Sequence, residues 1–338
     1  GLQIMSAVTG CEKGCNSTGL IDRDVRSDAY AVVSKAQSDI LNFEVETSRA
    51  KVKEAAMTYA YGSTAEPKRI YGVDSIELSA FHDAMQQEFP GACQMLNECL
   101  SSWIAYSDAH SWVMPDKANV DVSNYLMKER QISLDELGGS GFKYQWYEIG
   151  GEKYSKKNCA NLVHSLDSYV LRSLYRHCNY DEASVLDAVE TLEFEKGQRS
   201  RKDRKIQYYY RPEDDFEVPL ECYNRSGVLD IRMLEHLNAN TVTQLTEAHL
   251  DGLLEMANSV LRHKPFPVIS IHDEFRCHPN WMNHLRRHYS EVLSYLVDSR
   301  ILPDILYQIS GEPLPDATKD WGSPELAKVV REANYALS

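Results

Sequence analysis

Two spacings of apolar residues run along this chain, and the helical one dominates. Residues 26–46, 47–62 and 76–108 place apolar side chains three and four apart, which predicts successive helices. Asn42 is expected to cap the second of them. From Trp112 the spacing changes to the alternation of strands, and Leu137-Gly138-Gly139-Ser140-Gly141 reads as a turn between two of them. Helical spacing returns at His164–Tyr175, through most of 178–264, from about Trp281 to Asp298 and from about Pro324 to Asn334. Pro267-Val268-Ile269-Ser270-Ile271 interrupts it with a β-branched run that predicts a buried strand. Gly10, Gly14 and Gly19 mark turns near the start. The pattern predicts an α+β chain, mostly helical, with a core large enough for two lobes.

One helix carries chemistry. Ala, Glu, Lys and Met dominate Ser48 to Tyr61, and Gly62 is placed to stop the helix. Arg49, Lys53, Met57 and Tyr61 follow one another at four-residue spacing, so they advance only about 40° per step and share a face. Two cations suit a triphosphate, and a thioether and a phenol suit a base and ribose. The competing reading is an ordinary solvated amphipathic helix.

The apolar run ends abruptly in His272-Asp273-Glu274, followed by Phe275-Arg276. It reads as a strand turning into a hairpin with Asp273 at the turn. A carboxylate there suits a hard cation such as magnesium. Alone, an Asp at a turn more commonly satisfies backbone amides; beside the Arg-Lys-Tyr-Gly helix, metal binding is the better reading.

Together these residues resemble the single-subunit nucleic-acid polymerases of right-hand shape. Arg49, Lys53, Tyr61 and Gly62 match the motif of the fingers helix, and His272-Asp273 match the second palm motif. Gly1-Leu2-Gln3-Ile4-Met5-Ser6-Ala7 resembles the tail of the first palm motif of phage RNA polymerases. Asn161-Leu162-Val163-His164-Ser165-Leu166-Asp167 resembles a signature just upstream of their second palm motif. Met57 stands where DNA-making relatives usually carry an aromatic residue, which favours the RNA-making branch. Glu274 points the other way, toward DNA-making relatives. The likeness is dense around 1–10, 48–63, 112–120, 161–172 and 268–276.

The resemblance implies right-hand polymerase architecture, fingers plus the C-terminal part of the palm. Residues 1–25 would be the end of the first palm motif, and 26–163 the fingers, with a specificity-loop candidate at 117–158. Residues 164–338 would be palm, with an inserted module at 178–264 that has no counterpart in compact relatives. The implied function is DNA-directed RNA polymerase, adding ribonucleotides to an RNA 3′ end by two-metal nucleotidyl transfer. Asp273 would hold two magnesium ions and His272 would order the primer end. Lys53 and Arg49 would meet the triphosphate. Met57, Tyr61, Gly62 and His164 would complete the nucleotide site, with Tyr61 and His164 sensing the 2′-hydroxyl. The second metal-binding Asp of the family is expected upstream of Gly1, in a missing N-terminal segment or a second polymerase subunit, as in heterodimeric bacteriophage enzymes. The C-terminal residues Asn334–Ser338 resemble a foot whose carboxylate lies near the active centre. The alternatives are the matching part of a DNA polymerase and a non-catalytic, nucleic-acid-binding polymerase subunit.

Charge qualifies this picture. With 36 Lys and Arg against 50 Asp and Glu, the net charge is −14, whereas phosphate neutralisation needs cations. Weak duplex binding is therefore expected, with help from an accessory DNA-binding protein. The local exception is Lys196, Arg199, Arg201, Lys202, Arg204, Lys205 and Arg211 around Tyr208-Tyr209-Tyr210, a composition suited to single strands. The expected partners are thus DNA template, RNA product and ribonucleoside triphosphates. No run of eighteen apolar residues is present and Gly1 opens no signal-peptide pattern, so a cytoplasmic location is expected, the host cytoplasm if viral. Cys11 and Cys15 have no second pair at suitable spacing, so reduced thiols rather than zinc are expected.

Overall fold

The computed structural model describes residues 1–21, 26–42, 47–150, 153–201, 216–271, 274–312 and 322–337. Helix α1 (Leu2–Val8) is the hub. Leu2, Ile4, Met5, Ser6, Ala7 and Val8 are all buried, so this helix needs cover on nearly every side. That cover comes from α2 (Glu12–Ser17), α7 (Pro90–Ser101), α8 (Lys157–Cys178) and α12 (Met282–Val297). Gly10 and Gly19 sit at positive φ, but the turn expected at Gly14 is corrected: Gly14 lies inside α2. A β-carbon on it would fall 2.3 Å from Ser6 Oγ, so the glycine is there for close approach of α2 to α1.

The helices α3 (Ala29–Ile40), α4 (Arg49–Tyr59), α5 (Ala65–Tyr71) and α6 (Ile76–Glu88) lead into α7. Asn42 does not cap α4; it sits just past α3 at φ 52°, a left-handed position that asparagine tolerates. Ser48 is the cap, its Oγ accepting from the Lys51 amide at 3.2 Å.

Strands β1 (Ala109–Val113) and β2 (Asn119–Ser123) pair antiparallel. Strands β3 (Tyr125–Leu134) and β4 (Ser140–Ile149) form a longer hairpin that turns at Gly138 and Gly139. Within the segment 117–158, residues 119–123 pair with β1, and 125–149 make the hairpin.

Beyond α8 come α9 (Glu182–Arg199), α10 (Glu217–Ser226) and α11 (Glu247–Val260). Val185, Leu192, Phe216, Met233, Leu253 and Met256 build a core for this insert, separate from the main one. Strands β5 (Ile269–Ile271) and β6 (Glu274–Arg276) pair so that Ile271 opposes Glu274. The expected buried strand is corrected here, because Ile269 is 64% and Ile271 48% exposed. No element among the described residues covers their side of this short hairpin. After α12, the pattern-based reading missed α13 (Ile301–Ser310), a short apolar helix with Pro303 in its first turn. The last helix is α14 (Pro324–Arg331). No helix among the described residues is long and apolar enough to cross a membrane.

Two buried polar clusters join the insert to the main body. Asp116, beyond β1, accepts from Arg172 at 2.6 and 2.9 Å and from Arg176 at 3.1 Å, while Arg232 of the insert donates to its carbonyl at 2.9 Å. Burial would raise the Asp116 carboxyl, but the two guanidinium groups hold it below the usual range. In the second cluster, His263 and His288 share a hydrogen bond between their Nε2 atoms at 2.7 Å. His288 Nδ1 lies 2.7 Å from Glu291 Oε2, and Ser259 Oγ donates to Glu291 Oε1 at 2.5 Å.

This second cluster sets an acid limit on stability. Burial pushes His177 down to about 4, helped by the neighbouring His288, and burial likewise pushes His263 down to about 4. Unfolded, both take a proton near 6.5. Between 6.5 and 4 the unfolded chain therefore binds more protons, and stability falls as pH falls through that window. Each histidine contributes at most about 1.4 kcal/mol per pH unit. Burial opposes ionisation of Glu291, yet its bonds to His288 and Ser259 hold it down at about 2, so its contribution is lost only below about 4.5. The urea midpoint is expected to drop between pH 7.5 and pH 5, and less so in His177→Phe. An unchanged midpoint across that range would exclude neutral burial of these histidines.

Candidate active site

Helix α4 buries Val52, Ala55 and Ala56 against the main core. This turns the other side outward: Arg49, Lys53 and Met57 are exposed, Met57 by 49%. The helix ends at Tyr59, and Gly62 follows at φ 86°, a left-handed turn that brings the chain against Cys159 and Leu96. Tyr61 is thereby swung onto α8, where its ring lies 4.9 Å from that of His164, tilted by 49°. A β-carbon on Gly1 would sit 3.4 Å from Tyr61 Oη, and the Gly1 nitrogen lies 3.9 Å from Asp167 Oδ1. The start of the chain, the end of the chemistry-bearing helix and the His164–Asp167 turn of α8 thus meet at one place.

A cleft of about 690 Å³ opens beside them, bordered by Gly1, Asp28, Arg49, Asp167, Tyr289 and Tyr335 among others. A second, of about 600 Å³, shares Arg26, Tyr335 and Leu337 with it and reaches Glu274, Phe275 and Arg286 on the β5–β6 side. The C-terminal residues are held here: Gln3 Nε2 donates to the Ala336 carbonyl at 2.8 Å, and Arg286 donates to the Asn334 carbonyl. Phe275 of β6 meets Tyr289, whose hydroxyl donates to Gln3 Oε1 at 2.7 Å.

Arg49 is engaged. Its Nε donates to Asp28 Oδ2 at 2.6 Å, and its guanidinium lies 5.7 Å from the Tyr30 ring centre. Partial burial would raise the Asp28 carboxyl, but Arg49 and the amides of Tyr30 and Ala31 hold it below the usual carboxylate range. Gln3, from the stretch at Gly1–Ala7, also borders this site, and Asp28, Tyr30, Tyr289 and Arg286 join it though pattern reading missed them. Only Asp28 had a local signal, as the N-cap of α3.

His272 and Asp273 lie outside the described residues, as do Lys202, Arg204, Lys205, Arg211 and Tyr208–Tyr210. The neighbours in register, Ile271 and Glu274, flank residues 272 and 273. Glu274 itself accepts from Arg276 Nε at 2.7 Å. In the basic stretch, Lys196 pairs with Asp251, Arg199 pairs with Glu195 and Glu247, and Arg201 is exposed. Among the described residues no group of three or more His, Cys, Asp or Glu side chains is arranged to hold a metal ion. All eight cysteines are free thiols. No protein-family model matches this chain, and no curated protein matches it.

The cleft can hold an anion if Arg49 changes partner. Both members of the Arg49–Asp28 pair are more than a third exposed, so the pair contributes at most about 1 kcal/mol and a polyphosphate can displace it. Asp28→Asn, which keeps a capping residue on α3, is expected to tighten tripolyphosphate binding about two- to fivefold in calorimetric titration. Arg49→Gln is expected to weaken it. Unchanged affinity in both variants would remove Arg49 from the anion site.

Proposed function

We propose that this chain supplies the fingers and the C-terminal part of the palm of a DNA-directed RNA polymerase, acting with a further segment or subunit that brings a second metal-binding carboxylate. The observation that supports the reading is that Gly1 and Asp167, which border the same cleft as Arg49, also lie beside Tyr61, whose ring packs on His164.

In this reading Arg49 leaves Asp28 to hold the outer phosphates, and Lys53, one turn on, meets the triphosphate and protonates the departing pyrophosphate. Tyr61 lies against the nascent base pair with its hydroxyl toward the ribose, and His164 fixes the tilt of the phenol ring. His272 orders the primer end. Magnesium held by Asp273 and the second carboxylate would supply activation of the attacking 3′-hydroxyl and charge neutralisation of the leaving group. Positioning and charge stabilisation then carry the rate.

Two experiments test this. In the enzyme assembled with the missing carboxylate, Asp273→Asn is expected to lower nucleotide addition by roughly three or more orders of magnitude with template binding kept. Near-normal primer extension by the folded variant would remove Asp273 from the metal site. Separately, Tyr61→Phe is expected to reduce the preference for ribonucleotides over deoxyribonucleotides while most activity remains, because a site that bonds a substrate hydroxyl discriminates through that bond. Parallel extension assays with both nucleotide types read this directly. A wild-type preference for deoxyribonucleotides would assign the chain to DNA synthesis instead.

A further inference from the structure

A buried group of imidazoles closes the base of the β5–β6 hairpin. The chain enters this base through His263, just past α11, and Phe266, and it leaves through Trp281 into α12. Phe266 donates its amide to the Cys178 carbonyl at 2.8 Å. Its ring stacks on Trp281, with centres 5.3 Å apart and 4° between the planes. His263 meets His284 and His288 of α12, at 4.8 and 4.9 Å between ring centres. The hairpin itself pairs only three residues on each strand and leaves Ile269 and Ile271 in water. A two-stranded hairpin is marginal by itself. Apart from the contact of Phe275 with Tyr289, its position is therefore set at this base.

The hydrogen bonds among these rings fix the number of protons they hold. His263 Nδ1 lies 2.8 Å from the Lys264 carbonyl, which can only accept, so that nitrogen carries a proton. His288 Nδ1 lies 2.7 Å from Glu291 Oε2. Burial opposes ionisation of Glu291, but its bonds to His288 and Ser259 keep it a carboxylate. The His288 Nδ1 is therefore protonated as well. If both rings were neutral, their facing Nε2 atoms would be bare, with lone pairs opposed at 2.7 Å. A third proton has to lie between them. The pair is then one imidazole and one imidazolium, with the Glu291 carboxylate as counter-charge. His177 stays outside this bond: its Nδ1 donates to the Ser173 carbonyl at 2.8 Å, and its Nε2 is buried without a partner among the described residues.

We infer that His263 and His288 are positioning residues, and that the proton they share clasps the entry of the β5–β6 hairpin to its exit. Loss of that proton replaces a charge-assisted bond with two opposed lone pairs, and the base opens. The other ionisable groups packed around the pair keep their charge as pH rises from neutrality. Burial pushes His177 and His284 down, so both are already neutral. It pushes the thiols of Cys178 and Cys277 up, and likewise the phenols of Tyr180 and Tyr295. Arg176, Arg262 and Arg287 stay charged, and Lys264 pairs with Glu182. The inference rests on the polymerase reading only for its effect on nucleotide addition, because that reading assigns the metal to Asp273.

The test follows amide hydrogen exchange across residues 264–281 of the 338-residue chain, corrected for the intrinsic rate, from about pH 6.5 to about pH 9. Wild type is expected to lose protection roughly tenfold or more as pH rises, the size of a lost bond to a charged group. Glu291→Gln is the deciding variant. Its amide can donate to His288 Nδ1 and accept from Ser259, so a neutral pair keeps the bond between the Nε2 atoms. Its protection is expected to stay level across the series, whereas His288→Phe should be weakly protected throughout. In the assembled enzyme, the rate of nucleotide addition by wild type relative to Glu291→Gln should fall over the same range. Exchange needs no nucleotides, so a failure of nucleotide addition is a separate result from a failure of the clasp. A purely structural pair would give wild type and Glu291→Gln parallel pH profiles. Parallel profiles, unchanged wild-type protection, or zinc retained at one equivalent by wild type and lost in His288→Phe would overturn the inference.

Discussion

The burial of α1 is the constraint on which the rest of the structure depends. A seven-residue helix with six buried residues cannot leave any broad side to water, since each fully buried large apolar side chain is worth about 1.5–3 kcal/mol. Covering it recruits α7, α8 from the middle of the chain and α12 from beyond β6. Its remaining residue, Gln3, is only partly buried and ties what the apolar contacts bring together. Gln3 Nε2 donates to the carbonyls of Thr18 and Ala336, and Gln3 Oε1 accepts from Tyr289. One amide thus joins the beginning of the chain, α12 and the C-terminal residues. The cleft exists because these three cannot separate without exposing α1 and leaving the Gln3 side chain unsatisfied.

That arrangement also decides the electrostatics of the cleft. Arg49 reaches its edge from α4, where the helix cap at Ser48 and the packing of Val52 and Ala55 fix which side faces out. Asp28 reaches the same edge from the start of α3, where its carboxylate already accepts two backbone amides. The pair is therefore a resting arrangement between two anchored groups, near enough to bond and exposed enough to part. A buried partner would have locked the guanidinium in place, as Asp116 locks Arg172.

The elements with strong local signals were legible in the sequence. The span and outward face of α4, the glycine turn between β3 and β4, and the antiparallel hairpin around residues 272 and 273 follow from spacing and turn chemistry alone. The exposed row of Arg49, Lys53 and Met57 was readable because its residues repeat every four positions, but Tyr61 lies past the end of α4 and leaves that face for α8. The nearness of Tyr61 to His164 came from the resemblance, which set both at one hydroxyl, and not from spacing, since the contact joins distant parts of the chain and depends on how Gly62 redirects it. Gln3 was singled out only as part of the Gly1–Ala7 stretch, and its bonding role was not readable, because its partners lie at residues 18, 289 and 336. The β-branched run at 268–271 misled for a related reason: β-branching reports strand, and burial needs a covering element that local sequence does not encode.

The acidic balance of the chain looks different once its cations are located. Lys196 and Arg199 are bound to carboxylates on or beside α9 and α11, and Arg172 and Arg176 are bound to Asp116. Buried carboxylates hold Arg199, Arg172 and Arg176 away from phosphate, whereas the Lys196–Asp251 pair is as exposed as the Arg49–Asp28 pair. Cations at the cleft and on the β3–β4 hairpin are likewise lightly held. Arg49 has a weak, exposed partner, Lys128 a distant one, and Arg130 forms no ion pair among the described residues. A net charge of −14 therefore lowers the general attraction for polyanions without weakening these places, since screening confines charge to about 10 Å at ordinary salt. In the proposed reading, an anion is accepted where a guanidinium or ammonium on this acidic surface can change partner.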